Sequence, residues 1–322
     1  MAVVVGIDEA GYGPVLGPLV VAAAVFEVPD ADCGAAAPDL WHLLSRGVAR
    51  AGQGADGRVC IADSKWLHQG NGRLERLERN VLATCPLPMP LEFKPFAQWL
   101  GIPEIHLADG EPWYARGYPE LPVETDIETV RAARLVLLRA LGAAGIALRG
   151  VIVNLTHPWR FNRLVTATGN KASVLWSLSA ELLERIIDGS SGRPVSVTMD
   201  KHGGRTYYAG LLQQTFPLVA VEAVCETPAE SRYRLGPGAG GTLDLTVREK
   251  ADVTSLPVAL ASMYAKYVRE VCMRQFNVWW QARAGDVAPT AGYWTDYQRW
   301  AAEMQPWLAA LDLPPEKYVR SR

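Results

Sequence analysis

The chain has 322 residues, with 32 Lys and Arg against 34 Asp and Glu, a formal net charge of −2, and 49% hydrophobic residues. That composition is ample for a buried core and excludes a disordered or strongly basic protein, and no run approaches the roughly 20 apolar residues needed to span a bilayer. Five scattered cysteines (Cys33, Cys60, Cys85, Cys225 and Cys272) form no Cys-x-x-Cys pair, and the N-terminal apolar stretch has no basic leader. Together these imply reduced thiols and a cytoplasmic protein, not a disulfide framework or a zinc site.

Met1 to Gly6 reads as a buried strand, with Leu19 to Val28 as its hairpin partner. Pro86 to Pro122 carries eight prolines and several aromatics and reads as an ordered, irregular insertion at about 86–122. Thr125-Asp126-Ile127-Glu128 has the form of a capping box opening a helix to about Leu141, with Gly142 placed to stop it. Ala147 to Leu155 reads as a strand, Ser173 to Ile187 as an amphipathic helix, and Pro194 to Asp200 and Leu218 to Cys225 as further strands. Gly236 to Gly241 reads as a turn or loop. A phosphate cradle is disfavoured there because no P-loop Lys-Ser/Thr follows. Ser255 to about Ala282 is a long helix, followed by a C-terminal helical part at about 284–322. This alternation is α/β, and the expectation is one catalytic domain over residues 1–322.

The chemistry-bearing feature is the end of the first strand, Asp8-Glu9-Ala10-Gly11-Tyr12-Gly13-Pro14. Adjacent carboxylates at the edge of a dry sheet are costly unless paired or bound to a cation, which points to a divalent metal site. A strand-ending turn explains the same residues. Asp200 ends a later strand in the same way. Glu270 follows Lys266 by four residues on the long helix, a spacing that on its own reads as a surface ion pair.

Four segments, in order, resemble the type 2 ribonuclease H family, ribonuclease HII and ribonuclease HIII. They are Gly6 to Pro14 continuing to Gly17-Pro18, Asp63-Ser64-Lys65, the strand Val195 to Asp200, and Lys250-Ala251-Asp252 with the helix through Ser262, Lys266, Arg269 and Glu270. The resemblance implies a ribonuclease H-like fold, a mixed five-stranded sheet flanked by helices. It also implies a metal-dependent endonuclease cutting the RNA strand of RNA–DNA hybrids, with Asp8, Glu9, Asp200 and Glu270 as the catalytic and metal-binding carboxylates. Two divalent ions about 3.5–4 Å apart, magnesium or manganese, suit such an all-oxygen site.

Substrate contacts expected from the resemblance are Gly11, Tyr12, Gly13, Ser64, Lys65, Lys266 and Tyr293. Tyr12 stands where the family carries arginine, so any guanidinium contact to the ribonucleotide is lost, while the glycine amides remain able to read a 2′-hydroxyl. Gly292-Tyr293-Trp294-Thr295 resembles the family's Gly-Tyr-Gly-Thr, whose tyrosine stacks on nucleic acid; an aromatic core contact with Trp294, Tyr297 and Trp300 is the rival reading. Asn170-Lys171 and Lys201 to Arg205 are candidate substrate contacts, and His202 reads either as a proton donor to the leaving group or as a solvated loop residue.

No clamp-binding motif is evident near the C-terminus, and the expected partner is a nucleic-acid hybrid with no membrane; oligomeric state is not legible. The alternatives are a divergent nuclease of this fold with another nucleic-acid substrate, and a catalytically silent binding relative. Retention of repelling acids argues against the second.

Overall fold

A computed structural model describes residues 1–30, 37–53, 56–67, 74–86, 88–108, 110–115, 117–190, 192–238, 241–285 and 287–321. In chain order the strands are β1 (Ala2–Ala10), β2 (Leu19–Val28), β3 (Val48–Ala49), β4 (Val59–Cys60), β5 (Ala147–Thr156), β6 (Val195–Asp200), β7 (Val221–Glu226), β8 (Glu230–Gly238) and β9 (Gly241–Arg248). The helices of the first half are α1 (Leu40–Leu43), α2 (Ser64–Leu67), α3 (Glu75–Ala83), α4 (Phe93–Trp99), α5 (Ile105–Ala108) and α6 (Ile127–Ala144). Those of the second half are α7 (Pro158–Thr168), α8 (Lys171–Gly189), α9 (Ala209–Thr215), α10 (Ala251–Thr254), α11 (Leu256–Ala284) and α12 (Trp294–Ala310).

The main sheet has the order β5-β2-β1-β6-β9-β8-β7. β1 pairs antiparallel with β2 and parallel with β6, and β6 pairs parallel with β9, so the sheet is mixed, as expected. It holds seven strands rather than five, because β8 and β7 continue antiparallel beyond β9. The hairpin β8–β9 runs through the Gly-rich segment read as a loop. Its strands reach to Gly238 and Gly241, and Ala239 and Gly240 at its turn lie outside the described residues.

β1 is apolar on both faces because both are covered. Val4, Ala22, Ala24 and Phe26 pack on the side of α11, whereas Val3, Val5, Ile7, Val21 and Ala23 pack on the side of α8. Gly6 lets α11 lie directly on the strand. A Cβ there would stand 2.0 Å from the Val258 nitrogen and 2.1 Å from the Pro257 carbonyl carbon.

Helix α6 starts one residue later than its capping box suggested, with Asp126 Oδ2 accepting from the Thr129 amide at 3.0 Å. It runs through Gly142 and stops at Gly145, whose φ of +63° supplies the left-handed cap. The Pro-rich segment contributes α4 and α5 and closes over the outside of α11. Phe96 stacks on Tyr264 with ring centroids 6.2 Å apart, and Trp113 meets Phe276 edge-on at 5.1 Å. Buried Glu78 ties its end to the core by accepting from the amides of Val123, Glu124 and Thr125 and from the Tyr267 hydroxyl. Among the described residues no helix is long and apolar enough to cross a membrane.

Candidate active site

The acids converge where β1, β6 and α10 end. Parallel pairing brings Gly6 opposite Thr198 and Ile7 opposite Met199, so Asp8 and Asp200 follow one another at neighbouring strand ends, on the face covered by α11. Asp8 is buried. Burial first, then the charge of Glu9, pushes its pKa well above the usual carboxylate range. Glu9 is pushed up to about 7, by burial and then by Asp200. Asp200 is raised by burial, with the amides of Ala251 and Lys201 working the other way, and the Ala251 amide donates to its Oδ1 at 2.8 Å. That amide is aimed by Lys250, which adopts a left-handed φ of +54°, an uncommon conformation for a residue with a side chain.

The turn at Lys250 also delivers Asp252. Its carboxyl is raised by burial and then by Asp63 and Asp200, and it is a charged neighbour of Glu9. Asp252 is therefore the fourth acid of this cluster, a role not assigned to it from the sequence. The signal was present: it lies in the Lys250-Ala251-Asp252 motif, immediately before the long helix.

Glu270 is placed differently from expectation. It pairs with Lys266 Nζ at 2.7 Å and Arg269 Nη1 at 3.4 Å, eight residues and about 12 Å along α11 from Ser262. Arg269 lies under Gly11, not Asp8, so this turn of the helix supports the loop after β1. Lys266 is likewise committed to Glu270.

Ser64 is buried and its hydroxyl meets that of Ser262 at 3.0 Å, while Ser262 also lies within hydrogen-bonding reach of Asp8. The Asp63-Ser64-Lys65 turn is thus docked on α11 beside the first acid. Asp63 caps it by accepting from the Lys65 amide at 2.8 Å. Lys65 is exposed and is the cation that acts on Glu9, Asp200 and Asp252 together.

The loop Gly11 to Gly17 is fixed from beneath by two buried arginines. Arg320 donates to the carbonyls of Gly11 and Pro14, and Arg269 to those of Leu16 and Ala291, the latter at 3.0 Å. Burial, then the charge of Arg269, pulls the Arg320 pKa down to about 9. At Gly11, with φ of +92°, a Cβ would meet the Pro18 carbonyl at 2.5 Å and Arg269 Nε at 2.8 Å. The Gly292 carbonyl accepts from the Val15 amide at 2.7 Å, and this places the Tyr293 ring beside Gly13, 3.8 Å from where a Cβ would stand. Tyr293 is 54% exposed, whereas Trp300 is the ring that enters the core, so the aromatic cluster divides between the two expected roles.

Tyr12 turns to the α8 side of the sheet. Lys171 Nζ sits over its ring, 4.9 Å from the centroid. Burial and then Glu9 raise its pKa, and Arg205 opposes them, so an acid and a cation both act on Tyr12. His202 is not solvated. It is buried against Trp176 and Tyr208, and burial pulls its pKa down to about 3. A separate cleft of about 460 Å³, lined by Ser196, Thr198, Thr246, Arg248 and Ser255 among others, contains none of the four acids.

Among the described residues no three His, Cys, Asp or Glu side chains stand ready-made as a metal cage. The chemistry of the donor set nevertheless fits hard divalent ions: four carboxylates, all oxygen, three of them on separate element ends, with Lys65 acting on several of them.

No family model and no curated protein matches the chain. Among solved structures, it is similar to ribonuclease HII of Archaeoglobus fulgidus in a complex with PCNA, at 18% identity and TM-score 0.47 over 99% of this chain and 94% of that one. Ribonuclease H2 of Pyrococcus horikoshii follows at 16% and 0.44 over 98% and 92%, and Aquifex aeolicus ribonuclease H3 at 14% and 0.40 over 98% and 71%. The chain resembles the type 2 ribonucleases H.

Proposed function

We propose that this chain is a divalent-metal-dependent endonuclease of the type 2 ribonuclease H kind, hydrolysing the RNA strand of RNA–DNA hybrids. The observation that supports it most is the gathering of Asp8, Glu9, Asp200 and Asp252 at one end of the sheet, where burial and mutual repulsion raise all four. Such an assembly is costly to the fold and is the usual signature of a site that meets a cation in use. Asp8, Asp200 and Asp252 would hold magnesium or manganese, with Glu9 at the same edge. When bound, the ions supply an activated water and charge stabilisation for a phosphodiester leaving group.

The chain's own residues orient the substrate. Ser262 and Ser64 set the position of Asp8; Lys65 stands exposed above the acids, where a phosphate approaches. The Gly11-Tyr12-Gly13 turn, held by Arg320 and Arg269, presents a rigid edge suited to reading a ribose hydroxyl through backbone groups. Tyr293, exposed beside Gly13, offers a face for stacking.

The test is a cleavage panel of hybrid, single-ribonucleotide duplex, DNA duplex and single strands with magnesium and with manganese. The hybrid should be cut in preference to the single ribonucleotide. Asp8→Asn, Asp200→Asn and Asp252→Asn should each lower the rate by at least about 10³-fold without loss of metal-free thermal stability, because removing an acid relieves repulsion. Glu270→Gln should cost far less. Rates within tenfold of wild type for the three aspartate variants would reject the site, and cleavage only of another substrate would favour a divergent nuclease.

A further inference from the structure

Several cations of this half of the molecule are occupied. Lys266 pairs with Glu270, and Arg269 is buried under the loop. Lys201 donates to the Pro228 carbonyl and to Glu249 at 3.1 Å, and Arg160 donates to His106 at 2.8 Å. Lys171 and Arg205 differ. Neither takes part in an ion pair among the described residues and both are partly exposed; Lys171 sits over the Tyr12 ring, and the charge of Arg205 acts on the same side chain.

The arrangement of these two groups is informative. Tyr12 directly follows the loop's first glycine, three residues after Glu9, and Arg205 follows Asp200 by five residues across the Gly203-Gly204 turn. Lys171 opens α8, a helix of 19 residues whose cap, Asn170 Oδ1, accepts from the Ser173 amide at 2.9 Å. The helix start fixes its backbone, and the Tyr12 ring fixes its head against the positive end of the helix, the end that favours an anion. Were its role only to neutralise the acids, an ion pair to Glu9 would serve better than a ring face. The ammonium is instead partly exposed on the face of a ring that Glu9 and Arg205 also act on.

We propose that Lys171, seated on the ring of Tyr12, and Arg205 form a subsite for one backbone phosphate of the nucleic-acid strand, adjoining the position where the acids act. Tyr12 is then a replacement in kind for a cationic side chain at this turn: the ring carries no charge itself but seats a lysine brought from α8. The subsite rests on the reading of the chain as a hybrid-cleaving nuclease, and it assigns the residue that fixes the strand's register.

The experiment measures binding of an RNA–DNA hybrid to the full chain with calcium in place of magnesium across a salt series, together with kcat and KM in magnesium. Lys171→Gln and Arg205→Gln should each weaken binding and raise KM about tenfold with kcat nearly unchanged, and should each lower the salt slope by about one contact. Lys171→Arg should restore most of the binding. Lys94→Gln, which removes an exposed partner of Glu104, should change nothing. A scan of single uncharged methylphosphonates along the hybrid should find one position where neutralisation weakens wild-type binding but adds no further loss in Lys171→Gln. If Lys171→Gln proves unstable, the same comparison is made with Arg205→Gln. Unchanged binding and slope in both variants, or no such position, overturns the subsite while leaving the nuclease reading intact. A wild type that neither binds nor cuts the hybrid rejects both.

Discussion

Burial moves titratable groups in opposite directions in this protein, and the two directions have different uses. The carboxylates of Asp8 and Glu9 are raised, which penalises their charged forms until something positive arrives. The imidazole of His157 is lowered to about 3, because burial disfavours its charged form, with His106 and Arg160 nearby adding to the effect and Tyr114 packed 4.6 Å away. A base whose folded pKa lies below its unfolded value of about 6.5 contributes stability that is complete above that pH and is lost as pH falls toward 3. Each such histidine should add up to about 1.4 kcal/mol of destabilisation per pH unit in that window. His157→Gln should therefore lose less stability than wild type between pH 6.5 and 5.5, by about 1 kcal/mol in urea melts, with His202 still contributing in both. Identical pH dependence in the two proteins would show that His157 is not held neutral.

At the scale of elements, the site depends on how closely α11 lies on β1. Gly6 faces Val258, Asp8 reaches Ser262, and Gly11 lies over Arg269, so strand and helix advance together and each acid or loop carbonyl finds a fixed partner. Gly6→Ala would drive a methyl into backbone atoms at 2.0 and 2.1 Å, which side-chain repacking cannot relieve. The expected cost is at least about 3 kcal/mol, with activity falling further than stability as Asp8 and Ser262 separate. Chemical denaturation with parallel cleavage rates measures both, and a loss under about 1 kcal/mol would mean that the helix lifts freely. The C-terminal segment acts on the same loop from the other side, since Arg320 fills the carbonyls of Gly11 and Pro14 and its backbone amide donates to Val15 at 2.8 Å.

For the whole molecule, a net charge of −2 sets a limit on how nucleic acid is held. Many surface arginines are spent on ion pairs, as Arg50 with Asp39, Arg131 with Glu128, Arg234 with Asp244 and Arg299 with Asp296 and Glu303. Lys65, Lys171, Arg205 and Lys250 remain near the acids, so hybrid affinity should follow salt with a shallow log–log slope of about −3 to −4. Titrations from low to physiological salt measure it. A slope near about −10 would require a basic face elsewhere on the molecule.

By itself the sequence determined the class of fold, the strand that ends in Asp8-Glu9, the strand that ends in Asp200 and the long helix beside them. Apolar runs, periodicity and local caps are properties of short stretches of chain, and these elements obey them. The β8–β9 hairpin escaped notice because its Gly-Pro-rich seam is locally indistinguishable from a loop, whereas α7 was legible in Pro158 at its first position and in Phe161, Leu164 and Val165 at helical spacing. Only the tertiary structure decided which acids meet. Glu270 shares a helix with Ser262, but the pitch of α11 carries it to the Gly11 loop, whereas the left-handed turn at Lys250 folds Asp252 back against Asp200. It also decided that Tyr12 would carry a lysine from 159 residues downstream, a contact that no local pattern encodes because long-range proximity is fixed by packing of the whole sheet.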